Sequence, residues 1–151
     1  MKVNKEWMET NYNNYNHMYF NDILPQIGIG RMTIQLLPVI KQTQYLGQAS
    51  WKPTEGYTGK KDLINKRFII KINNYYDDLF EIEWQNVLLH EMIHIWQYIT
   101  GYKGGHGKSF LNKAKEINEK YGWEITSTYK EKYIKETYYG RKLEGMDRSE
   151  Q

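Results

Sequence analysis

The stretch from about residue 80 to 99 limits what this chain can fold into more than any other. Ile82, Trp84, Val87, Leu88, Leu89, Met92, Ile93, Ile95, Trp96 and Ile99 leave it apolar almost all round. Such a pattern in a soluble domain reads as a helix enclosed on most of its sides. The rest of the chain must therefore supply a cover. At 151 residues it has the length of one domain, which can remove roughly 70% of its unfolded surface from water.

In the middle of this helix stand His90-Glu91-Met92-Ile93-His94. Histidines four apart lie on one helix face, a turn apart, so both imidazoles can reach one cation. Glu91 points to the side of the pair, where its carboxylate can touch water in the metal's open position; this is the zinc-hydrolase arrangement. Two imidazoles and a carboxylate in the most apolar helix would otherwise be buried polar groups, each costly without a partner. A metal is that partner. Zinc lowers the pKa of its water, and Glu91 as general base passes the proton to the leaving amine.

A zinc site that keeps one position for water needs a third protein ligand. The residue six past His94 is Thr100, which excludes the metzincin spacing. His106, in Gly105-His106-Gly107, lies beyond a glycine-rich turn from which a returning helix can bring it back, and is the expected third ligand. A carboxylate such as Glu116 or Glu119 is the alternative. His17, the remaining histidine, sits in a polar segment and reads as solvated.

Around this centre, residues 4–20 read as a helix with Met8, Tyr12, Tyr15 and Tyr19 on one face, broken by Pro25, Gly28 and Gly30. Arg31–Leu37, Tyr45–Trp51 and Arg67–Ile72 alternate with period two and read as strands, with a basic hairpin loop over Pro53–Asn65. Asp78 and Glu81 have capping-box spacing at the start of the metal helix. A second helix, about 107–121, is expected to end at Gly122 and pack as an antiparallel hairpin. Trp123–Tyr129 reads as a further strand, followed by a short helix.

The absence of cysteine excludes disulfides, thiolate metal sites and cysteine nucleophiles. No run approaches the ~20 apolar residues of a membrane span, and the first residues lack the apolar core of a secretory signal. A cytoplasmic location, in a bacterial cell or a phage-infected host, is the expectation. The net charge of +3 is mostly local. Residues 101–142 hold ten Lys/Arg against five Asp/Glu, and Lys60, Lys61, Lys66, Arg67 and Lys71 face only Asp62. Such surface can attract nucleic acid, although a solvated basic face is the simpler account.

The run Leu89-His90-Glu91-Met92-Ile93-His94, then Thr100-Gly101, then Gly105-His106-Gly107-x-x-Phe110, resembles the SprT-like zinc metalloprotease domain, the family of the Spartan proteases that degrade proteins crosslinked to DNA. Tyr19-Phe20-Asn21-Asp22-x-Leu24-Pro25 and Ile70-Lys71-Ile72-Asn73 resemble the family's upstream segments, so that residues 10–125 are covered. The resemblance implies an α+β fold of the minigluzincin/SprT-like kind. Its parts are an N-terminal helix, a small three-stranded, mainly antiparallel sheet, and a helix hairpin with one Zn2+ on His90, His94 and His106 and Glu91 as general base. It implies a protein substrate and, with the basic surface, DNA. Lys108-Ser109 stand where the family often has Pro-Glu, and the four-cysteine zinc ribbon of many relatives is absent. The expected domain is 1–140, with a disordered polar tail over 141–151. A zinc-bearing module that does not cleave, for example in a phage particle, is the competing function. Peptide deformylases need a cysteine ligand, and small zinc endoribonucleases a histidine where Thr100 stands, so both fit poorly. Substrate is expected to add to an exposed strand edge, with the 45–51 strand as candidate. Fourteen tyrosines leave any oxyanion donor unassigned.

Overall fold

The computed structural model describes residues 1–28, 31–37, 46–74 and 79–127. Helix α1 (Lys5–Tyr19) starts where the Asn4 side chain accepts the Trp7 N–H, and buries Met8, Tyr12 and Tyr15 as the spacing predicts. Strands β1 (Met32–Leu37), β2 (Gly47–Pro53) and β3 (Lys66–Asn73) follow, then helices α2 (Glu81–Ile99) and α3 (Lys108–Tyr121). No helix among the described residues is long and apolar enough to cross a membrane.

The sheet order is β1-β3-β2. β2 and β3 form the expected antiparallel hairpin, but β1 runs parallel to β3, so the sheet is mixed where a mainly antiparallel one was expected. The cause is the position of β2: it reverses direction and lies on the far side of β3, leaving β1 and β3 to run the same way. Phe68, Ile70 and Ile72 of the central strand are fully buried. The residues of α2 pack on this sheet and on α1, and from Trp84 to His94 only Gln85 of α2 is not buried.

Three expectations need correction. The metal helix does not open on an Asp78–Glu81 box: Asp77 and Asp78 lie outside the described residues, and Phe80 takes the cap position. Its N–H donates to Glu83 Oε1 at 2.8 Å, because Glu83 is the third residue of a helix that begins later, while Glu81 accepts from Trp7 Nε1 at 2.9 Å. Lys66 is no part of a solvated basic face. It is buried, its ammonium donating to the Lys60 carbonyl at 2.7 Å and lying 4.4 Å from the centre of the Trp51 ring. Residues 123–127 are not a strand. Asn118 brackets Ile125, donating to its carbonyl at 2.9 Å and accepting its N–H at 2.8 Å, and Asn86 accepts the Glu124 N–H at 3.2 Å. Side-chain amides thus take the main-chain groups that a strand would have paired. Tyr45, Thr128, Tyr129, the expected short helix and the tail 141–151 lie outside the described residues.

Gly122 ends α3 in the left-handed conformation, at φ 80°, which costs glycine little. The chain then turns back along α2 and α3 toward the metal helix. Asn118→Ala should lower the unfolding free energy by about 1–3 kcal/mol, the cost of two lost, partly buried bonds; urea denaturation measures it, and an unchanged midpoint would contradict this account of the segment.

Candidate metal centre

His90 and His94 project from the buried middle of α2, and His106 comes from the glycine-rich turn just before α3. Their Nε2 atoms form a nearly equilateral triangle: His94 to His90 3.3 Å, His94 to His106 3.2 Å, His106 to His90 3.2 Å. Phe110, in the first turn of α3, backs all three rings, with centroid distances of 4.7, 5.0 and 4.9 Å to His90, His94 and His106.

The outer ring nitrogens fix what the inner ones can do. His90 Nδ1 lies 2.7 Å from the Thr126 carbonyl, an acceptor only, so Nδ1 carries the hydrogen. His94 Nδ1 lies 2.7 Å from Gln97 Oε1. The Gln97 amide nitrogen donates to the Gly105 carbonyl at 3.0 Å and to Ser109 Oγ at 2.9 Å, so its oxygen faces His94, and that Nδ1 also carries the hydrogen. In neutral rings, Nε2 of both His90 and His94 is then a lone pair aimed at the other. The rings are held neutral. Burial, and next the neighbouring His94, push the His90 imidazole down to about 2 against the opposing Thr126 carbonyl. Burial also lowers His94, against its bond to Gln97, and burial lowers His106.

The lone pairs of His90 and His94, 3.3 Å apart, repel unless a cation lies between them. The spacing suits zinc: two nitrogens each 2.0–2.1 Å from a tetrahedral ion stand roughly 3.3–3.4 Å apart. The three histidines therefore form a donor set that could hold a metal ion, and outer hydrogens held on a carbonyl and an amide, as at His90 and His94, are the usual build of such a site.

A cavity of about 520 Å³ opens on the three rings and is also lined by Glu91, Tyr98, Ser127 and residues 47–50 of β2. Glu91 is buried, at 2% exposure. Gly47 makes room for it, since a Cβ there would come within 3.0 Å of Glu91 Cγ and Oε2. Glu116 and Glu119, the alternative ligands, are exposed on α3 near Lys113 and Lys115, and His17 is exposed beside Asp22. None of the three joins the cluster. Gln97, Gly47, Tyr98 and the Thr126 carbonyl were not singled out from the sequence. Gln97 alone left a trace there, as a polar residue in an apolar helix, three positions past His94.

Two helices over a small mixed sheet, with three convergent imidazoles at their junction, define an α+β domain with a donor set that could hold a metal ion. The model described as the SprT-like family matches residues 8–131, and the chain belongs to that family. A search of curated proteins finds no match. Family and site together point to a metallopeptidase-type domain.

Gln97→Leu keeps the volume and removes all three bonds of that side chain. Metal affinity should fall 10–100-fold, read by competition with a chelator; an unchanged affinity would remove Gln97 from the account of the site.

Proposed function

We propose that this chain is a zinc-dependent endopeptidase in which His90, His94 and His106 hold the metal and Glu91 is the general base, within a catalytic domain spanning residues 1–140. The observation that carries the reading is the convergence of three neutral imidazoles beside a buried carboxylate, on a cavity walled by one strand. Zinc, when bound, supplies Lewis-acid activation of water and of the carbonyl under attack.

The protein's own groups do the rest. Glu91 lines the cavity that holds the three rings, so its carboxylate can take a proton from the attacking water and return it to the departing amine. Gly47 leaves that carboxylate its place. Strand β2 supplies residues 47–50 as the facing wall, and an extended peptide can pair with it as an added strand. The substrate on this reading is a protein chain in extended form.

The reading extends to proteins carried on DNA. Lys52, Lys60 and Lys61 near the β2–β3 loop and Lys108 and Lys120 on α3 are exposed and can meet phosphates, and the likeness to the Spartan proteases supports the same substrate class.

Glu91→Gln should retain one zinc per chain by elemental analysis and lose casein cleavage by about 10²–10⁴-fold, while His94→Ala should lose both. Full cleavage by Glu91→Gln would defeat the role of Glu91; metal bound by a wild-type protein that cleaves nothing would favour a binding module. Single-stranded DNA should be retarded in a gel, with affinity falling roughly tenfold between 50 and 200 mM salt. No retardation at either salt would remove DNA from the proposal and leave the peptidase reading in place.

A further inference from the structure

Hydrogen bonds at the two ends of β2 set the phase of its ladder. The Asn73 N–H donates to the Leu46 carbonyl at 2.9 Å, and the Thr54 N–H to the Asn65 carbonyl at 2.8 Å. Between them the register is unbroken, from Gly47 opposite Ile72 to Pro53 opposite Lys66. Bonded and non-bonded pairs alternate in an antiparallel ladder. Gln48, Ser50 and Lys52 therefore turn their main-chain groups toward β3, while Ala49 and Trp51 turn theirs outward. Among the described residues no strand lies on that outer side.

The outward carbonyl of Ala49 nevertheless has a donor. Tyr98, one helical turn past His94, gives it a hydroxyl hydrogen bond at 3.3 Å. Tyr98 lines the same cavity as Glu91. Gly104 backs the ring so closely that a Cβ there would come within 2.8 Å of the hydroxyl oxygen. Burial, and then the charge of Glu91, raise the phenol's pKa, so it stays a donor. A bond of 3.3 Å is long for a hydroxyl, whereas a peptide N–H in a strand ladder sits at about 2.9 Å.

We propose that the Tyr98 hydroxyl stands in for a backbone N–H of the substrate, holding the Ala49 carbonyl until an extended peptide pairs with the outer edge of β2 and takes that acceptor over. Tyr98 is then a positioning residue: it sets how strongly the substrate backbone is held beside Glu91. This inference rests on the peptidase reading above. It also makes the binding edge selective, because a segment with no N–H at that register, such as a proline, cannot displace the hydroxyl.

The test is binding of a fluorescein-labelled extended peptide derived from casein to zinc-loaded Glu91→Gln protein, which holds substrate without cutting it. Tyr98→Phe in that background removes the competing donor and should tighten binding about three- to tenfold. Gly104→Ala keeps the hydroxyl but pushes it off Ala49, and should shift binding in the same direction; Gly104 does not have a positive φ, so its backbone admits alanine. A purely structural tie between α2 and β2 predicts the opposite, weaker peptide binding with a lower unfolding midpoint. Unchanged or weaker binding in both variants overturns the role of Tyr98 while leaving the peptidase reading intact. Failure of the Glu91→Gln protein to bind any peptide, together with no cleavage by wild type, overturns both.

Discussion

Two lone pairs that face each other without a hydrogen between them are the constraint around which this site is organised. His90 and His94 could escape it by moving a hydrogen to Nε2, but the Thr126 carbonyl and the Gln97 amide oxygen hold those hydrogens on Nδ1. Protonation would be another escape, and burial opposes it. The third ring arrives at the same distance from both. A cation would relieve them together, so a metal held there would contribute to the stability of the fold.

Each support of that arrangement comes from a different part of the chain. The Thr126 carbonyl reaches His90 because Asn118 and Asn86 hold residues 124–125 against the two helices. Gln97 joins His94 to the turn that carries His106, so two ligands from separate segments share one brace. Phe110 gives the rings a common apolar backing. The central strand β3 fixes β2, and β2 walls the cavity opposite Glu91. A carboxylate and two imidazoles kept out of water, Glu91, His90 and His94, are costly for the free protein; the same burial keeps those two rings ready as ligands.

Much of this was legible before the fold was known. The face of α1, the alternation of β1 and β3, the reach of α2 and the glycine that ends α3 all follow from local periodicity and backbone preference. His106 was legible as well, because a glycine-flanked histidine after a short turn has few other places to go. Less legible was anything that depends on which strand lies beside which. The parallel pairing of β1 with β3 is set by the path between them. The segment 123–127 has the apolar, aromatic composition of a strand but pairs with no strand among the described residues; asparagine side chains take main-chain groups of Glu124 and Ile125 instead.

By itself, the sequence determined two imidazoles one turn apart on a buried helix, with a carboxylate beside them, since helical spacing and the cost of burying polar groups are local properties; it named His106 as the expected third donor, and the fold set it there in place of Glu116 or Glu119. Only the tertiary structure decided which nitrogen of each ring faces inward, that Gly47 leaves space for Glu91, and that Tyr98 holds the carbonyl of Ala49. Most of these depend on atoms tens of residues apart meeting at close range, and even the Gln97 bond to His94 depends on the later turn that orients the amide; no periodicity along the chain encodes a distance across it.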